Sequence, residues 1–212
     1  MKITSVRRQK RRRNRVNVHV DREFRLTVAE EVAVRRGLRA GIEMDEKFIE
    51  ALEAEDALWR ARDAALHLLS YRQRTERELR DRLMRKGYDA ETVDSCAQQL
   101  KNSGLLNDEA FARAFIRDRI RARPSGRGRL RAELRSKGVA SEIAESLLDD
   151  ALASGDDSEL ELARRAAGRF KRRKGEEAIR AKRRLYGFLS RRGFTADVIR
   201  SVSDELGLGP RA

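Results

Sequence analysis

The chain has 212 residues, 49 Lys plus Arg against 35 Asp plus Glu, and a formal net charge of +14. With 2 Pro, 14 Gly and 40% charged residues, it is neither collagen-like nor a Pro-rich linker, no stretch approaches the roughly 20 apolar residues of a membrane helix, and charges stand where a signal peptide needs an apolar core. The single cysteine, Cys96, excludes an internal disulfide and any cysteine-cluster metal site, so the expectation is a soluble, cytoplasmic, folded chain with thin cores.

The cations are 40 Arg and 9 Lys. Arg presents a planar five-donor fork suited to phosphates and carboxylates, although codon bias produces the same composition. Charge is unevenly placed: +9 over residues 1–42, −6 over 43–56, +3 over 57–107, zero over 108–157 and +8 over 158–212. Basic ends around a near-neutral middle favour a polyanionic partner, nucleic acid first.

In chain order, residues 3–28 read as β structure. Val16, Val18 and Val20 alternate with polar residues, Phe24 and Leu26 alternate again after the Asp21-Arg22-Glu23 turn, and a short strand around Ile3 to Arg8 precedes them. The loop joining the first two strands carries Arg11, Arg12, Arg13 and Arg15. That run fits a solvated tip that keeps a sheet edge soluble, or a phosphate-contacting finger. From Thr27 the pattern becomes helical until Gly37, and an acidic helix capped by Asp45 runs to Asp56.

Beyond it lies an internal repeat of about 50 residues. Leu79, Leu83, Lys86-Gly87, Val93, Cys96 and Leu100 map onto Leu130, Leu134, Lys137-Gly138, Ala144, Leu147 and Ala151, then onto Leu185, Leu189, Arg192-Gly193, Ile199, Val202 and Leu206. Each copy reads as three helices with apolar residues at i, i+3, i+4 and i+7. In the first copy Thr75 and Glu78 form a capping box, and Gly87 closes the second helix in the left-handed conformation. Five extra residues in the third copy fall between Lys171 and Arg184. The fold expected is mainly α: a tandem array of three three-helix modules (57–107, 108–157, 158–212) preceded by a small β-hairpin or sheet and a helix (1–56).

Together, the segments Thr75 to Tyr88, Gly104 to Arg119 and Gly126 to Val139, the triple repeat and the basic hairpin before it resemble the RecX family of bacterial recombination regulators over nearly the whole chain. Asn107 stands where an acid is expected, and Arg180 with its neighbours replaces the Gly-led start of the third copy's second helix. The resemblance implies a non-enzymatic modulator without cofactors. It further implies a chain, read here as a monomer, that binds the RecA recombinase filament on single-stranded DNA, lies in its groove and lowers its ATPase, strand-exchange and co-protease activities.

The residues themselves carry little catalytic chemistry. Gly126-Arg127-Gly128 lacks the rest of a phosphate loop; His19 and His67 have no ligand-spaced partners and read as a strand and a helix-surface residue; Cys96 occupies the core position of Leu147 and Val202. The third copy is the basic centre. Lys171, Arg172, Arg173, Lys174, Arg180, Lys182, Arg183, Arg184, Arg191 and Arg192 stand against only Glu176 and Glu177. A solvated basic face is the plain alternative, but self-repulsion there would be relieved by DNA or by an acidic protein groove. Phe111, Phe115, Phe170, Phe188 and Phe194 fall in core rows, which leaves phosphate-led, sequence-tolerant contacts rather than base stacking. A general nucleic-acid-binding protein, with the repeats as spacer, is the competing reading, and partner dependence of DNA affinity separates the two.

Overall fold

The computed structural model describes residues 1–10, 14–153, 155 and 158–208. Strands β1 (Ile3–Arg8), β2 (Arg15–Val20) and β3 (Glu23–Ala29) form an antiparallel sheet in the order β1-β2-β3. The period-two pattern puts Val16, Val18, Val20, Leu26 and Val28 on the buried face. Asp21 and Arg22 both hold positive φ, 49° and 72°, the geometry of a two-residue turn whose twist matches that of the strands. The helix expected from Thr27 starts later, as α1 (Glu30–Arg35), because Thr27 and Val28 continue the ladder opposite Asn17 and Val16.

The acidic helix and the first helix of the first repeat are one element, α2 (Glu46–Tyr71), capped by the Asp45 side chain, which accepts from Phe48 N. No Gly or Pro interrupts it, and Asp56, expected to close a helix, is instead buried toward the sheet at 3% exposure. Its Oδ1 accepts from Arg15 Nη1 at 2.7 Å and Ala29 N at 2.7 Å; Oδ2 accepts from Arg15 Nη2 at 3.0 Å and pairs with Arg60 Nε at 3.0 Å. A buried carboxylate with this many donors is compensated for leaving water. Ile3, Val18, Val28, Val32, Ile49 and Leu52 fill the core around it.

Helix α3 (Glu76–Arg85) and α4 (Ala90–Asn102) follow, and Ala61, Ala65, Leu79, Leu83, Val93, Cys96, Ala97 and Leu100 make a second apolar cluster. Cys96 is fully buried there, and burial pushes its thiol pKa up. The chain divides into two compact units. The first comprises Met1–Arg74 and Leu79–Leu106, the second Thr75–Glu78 and everything from Asn107 on.

The second unit contains α5 (Asp108–Ala122), α6 (Arg127–Ser136), α7 (Ser141–Leu152), α8 (Glu159–Ala167), α9 (Ala178–Ser190) and α10 (Ala196–Glu205). Asn107, where an acid was expected, caps α5 by accepting from Ala110 N at 2.9 Å. Leu130, Leu134, Leu185 and Leu189, the rows read from the repeat, are fully buried. Instead of a separate small core for each trio, α5 to α10 share one contiguous cluster running from Phe111 to Leu208.

That sharing rests on a backbone joint. Gly126 N donates to Arg192 O at 2.8 Å and Gly128 N to Gly193 O at 3.0 Å. A Cβ on Gly193 (φ +81°) would overlap the backbone nitrogen of Arg129. An equivalent contact occurs one repeat earlier within this unit, made by a side chain: Thr75 Oγ1 donates to Lys137 O at 2.6 Å, and a Cβ on Gly138 (φ +87°) would lie 2.5 Å from Arg77 Cβ. Helix starts repeat as well, with Glu76 N on Asp108 Oδ1 at 2.8 Å and Arg127 N on Glu159 Oε1 at 3.0 Å. Only half of the expected capping box forms. Thr75 accepts from Glu78 N at 3.2 Å, while the Glu78 carboxylate turns away to Lys137 Nζ at 2.8 Å.

Between α6 and α7, Glu145 Oε2 takes Arg127 Nη2 at 2.6 Å and Arg131 Nη2 at 2.9 Å, and Asp149 takes Arg127 Nη1 at 2.5 Å. The Arg131 and Arg127 donors hold the Glu145 carboxyl at about 2.

Three outcomes test these contacts. Asp56→Ala leaves Arg15 buried without its carboxylate and should cost about 3–5 kcal/mol in chemical denaturation. Gly87 and Gly175 also have positive φ, 89° and 76°, but open space beyond. Gly87→Ala and Gly175→Ala should therefore each cost about 1 kcal/mol, and Gly138→Ala and Gly193→Ala roughly 1–3 kcal/mol more, read from thermal melts. Because the folded-state pKa of Glu145 is depressed, its contribution is present above the ordinary carboxylate range and lost as pH falls toward about 2. The melting-temperature gap between wild type and Glu145→Gln should be present at neutral pH and close through that acid window.

Candidate functional site

The basic segment after α8 is built around one carboxylate. Glu176, with its side chain 7% exposed, accepts from Arg184 Nη1 at 2.7 and 2.6 Å and from Arg173 N at 3.1 Å. The Arg184 bonds first, then the Arg173 amide, hold its carboxyl below the usual range. Arg184 also lies over the Phe170 ring, 4.9 Å from its centroid. Arg172 folds its guanidinium onto Glu176 O at 2.6 and 3.1 Å. The extra residues of the third repeat are thus an ordered turn, with Arg184 as an internal strut rather than a free contact.

Around that strut the neighbouring cations lie on the surface, Arg172 with its guanidinium turned back to Glu176 O. Lys171, Arg172, Arg173 and Lys174 are all exposed, and no carboxylate pairs with their side chains among the described residues. Arg183 is exposed as well, on α9. Arg180 meets Glu177 at 3.4 Å on the surface, and Lys182 reaches Asp204 at 3.9 Å; exposed pairs of this kind contribute about 0–1 kcal/mol and open readily to a better partner.

Of the four hairpin arginines, Arg11, Arg12 and Arg13 lie outside the described residues. Arg15, expected beside them as a polyanion contact, is instead engaged within the fold. Its side chain is 13% exposed and holds Asp56 with both terminal nitrogens.

Arg191 and Arg192, at the end of α9, fall into a cluster that sequence reasoning missed in part. The Arg192 guanidinium stacks on the Phe188 ring at 3.7 Å and donates to Phe188 O at 3.3 Å. Burial, then the charges of Arg123, Arg129, Arg169 and Arg191, push its pKa down. Arg129 donates to Arg191 O at 3.4 Å, and its Nε holds Glu133 at 2.9 Å; the same carboxylate takes Arg119 at 2.7 Å. Arg123 ends α5, Arg129 lies on α6 and Arg169 follows α8, so no single run of charge in the sequence contains them. The repeat offset aligns Arg129 with Glu78 and Arg192 with Lys137, but it points to their proximity only once Glu78 and Lys137 are seen in contact.

The phenylalanine faces support cations. Lys137 lies 5.6 Å from the centroids of both Phe111 and Phe115, and Arg119 5.2 Å from that of Phe115. Among the described residues no group of three His, Cys, Asp or Glu could hold a metal, and no helix is long and apolar enough to cross a membrane.

Comparisons with known proteins agree with this architecture. Family models match residues 1–45 (regulatory protein RecX N-terminal domain) and, in order, the first, second and third RecX three-helix domains at 61–100, 107–148 and 157–202. The chain is 32% identical to a regulatory protein RecX of Clostridium perfringens over 95% of its own length and 94% of the relative's. It is also 32% identical to one of Limosilactobacillus reuteri, over 97% of this chain and 76% of that one. A crystal structure of a regulatory protein RecX superposes with a TM-score of 0.81 at 29% identity, covering 96% of this chain and 98% of that one. With the sheet, the three repeats and their order all matched, the chain belongs to the RecX family of regulatory proteins.

Proposed function

We propose that this chain is a non-enzymatic regulator of homologous recombination and the SOS response that binds the RecA filament on single-stranded DNA, occupies its groove and inhibits its ATPase, strand-exchange and co-protease activities. The reading follows from family membership, and its physical support is the set of exposed, unneutralised cations on the third repeat: Lys171, Arg172, Arg173, Lys174 and Arg183. A filament groove offers phosphate and acidic protein surface at regular intervals. Three modules, divided near residues 57, 108 and 158, would engage it by several weak contacts, each made at high effective concentration once the first has formed. Steric occupancy of the groove would account for the inhibition, which then requires no catalytic group. The chain would act as a cytoplasmic monomer without cofactor.

The test separates filament binding from DNA binding alone. Replacing Lys171, Arg173 and Lys174 with Gln should leave the fold intact, since the Glu176 carboxylate is held by Arg184 and the Arg173 amide, and Arg172, whose guanidinium holds Glu176 O, is kept. Binding to single-stranded DNA should weaken, and its log–log salt slope should become shallower by roughly 0.7 for each phosphate no longer neutralised. Inhibition of the recombinase's DNA-dependent ATPase should fall in parallel, even at salt where binding to bare DNA is negligible. Inhibition that persists at full strength while DNA binding is lost would show that the basic loop is not the filament contact and make the near-neutral middle module the better candidate.

A further inference from the structure

The joint between repeats occurs twice in the second unit, and its electrostatics reverse between the two occurrences. At the first, Lys137 faces Glu78, Nζ to Oε1 at 2.8 Å, and lies over two phenylalanine rings. At the second, the repeat register replaces Lys137 by Arg192 and Glu78 by Arg129. An ion pair has become two like charges at the corresponding joint, which is held by Gly126 N on Arg192 O and Gly128 N on Gly193 O where the first uses Thr75 Oγ1 on Lys137 O. Arg123, Arg169 and Arg191 add three more cations near Arg192. Glu133 is already shared by Arg119 and Arg129.

We propose that Arg192, with Arg123, Arg129, Arg169 and Arg191 around it, forms an anion site that takes a backbone phosphate of nucleic acid. The phosphate supplies the counter-charge that Glu78 supplies one repeat earlier. Guanidiniums suit this role because each offers paired donors in a plane, and several can converge on one tetrahedral oxyanion. Arg192 is aimed before the ligand arrives: its plane rests on Phe188, one nitrogen is held by Phe188 O, and its backbone is pinned by the glycine joint. Little side-chain freedom is left to lose on binding. Like charges assembled here repel in the free protein, a cost that a bound anion would relieve. That the phosphate belongs to nucleic acid rests on the function proposed above; that the site prefers a phosphate-type anion does not.

The experiment uses the full chain with fluorescent oligo(dT), without recombinase. Arg123→Gln combined with Arg169→Gln removes two exposed cations. The ligand-free melting temperature should hold or rise as repulsion is relieved. Affinity for oligo(dT) should fall severalfold, with a salt slope shallower by roughly 0.7 for each phosphate no longer engaged. Arg82→Gln with Arg85→Gln, two exposed cations on α3, removes the same charge elsewhere and should change binding much less. Equal losses of affinity in the two variants, or unchanged affinity and slope in the first, overturn the site. A lower melt in the first variant with unchanged binding does the same, by showing that the cluster is structural. Wild-type protein that binds oligo(dT) through these arginines yet leaves recombinase ATPase untouched would overturn the proposed function while the site stands.

Discussion

Two amide-to-carbonyl hydrogen bonds, Gly126 N to Arg192 O and Gly128 N to Gly193 O, hold together most of what is informative in the second unit. Backbone can meet backbone this closely only where side chains are missing, and Gly126, Gly128 and Gly193 stand at the contact. The left-handed turn that ends a helix at Gly193 is therefore also the surface on which the preceding repeat docks. Once the turn is docked, Leu130, Leu134, Leu185 and Leu189 close into one core rather than two. Repeats of about 50 residues bury little apolar surface alone, so sharing a core across the joint is the route by which thin modules become stable.

The same joint dictates where charge ends up. Its position in the repeat is kept between occurrences while the groups that make it differ, Thr75 Oγ1 in one and the Gly126 and Gly128 amides in the other. One occurrence carries Lys137 and Glu78, the other Arg192 and Arg129. The first pair closes the contact electrostatically. The second leaves positive charge facing solvent on a rigid frame, which is how a repeat protein acquires a binding surface without altering its fold.

Much of this was legible in sequence. The β pattern of Val16, Val18 and Val20, the three apolar rows and the closing glycines are local or periodic signals, and they fix strands, helices and core leucines. What escaped is non-local. Asp56 reads as the acidic end of a surface helix, yet four donors on three elements bury it, and with it Arg15 leaves the hairpin's phosphate-facing set. Thr75 and Glu78 have capping-box spacing, but an acid with a lysine within reach prefers the charge-assisted bond, so Glu78 goes to Lys137. Gly175, in a segment of irregular length, gave no periodic cue for its positive φ. The charge runs flagged the third repeat correctly as basic, but could not separate Arg184, tied to Glu176, from its exposed neighbours.

The phenylalanines bear on how any nucleic acid would be held. Phe115, Phe170 and Phe188 are only partly buried against the core, and open ring faces of this kind are able to stack bases. Each is covered by a cation instead: Phe115 by Arg119 and Lys137, Phe170 by Arg184, Phe188 by Arg192. Cation–π contact fixes the cation and closes the ring face to other partners. The aromatic residues thus position positive charge rather than read bases, and a surface organised in this way responds to the spacing of phosphates. Every nucleic-acid sequence presents that spacing alike, which is the kind of contact the proposed function would need.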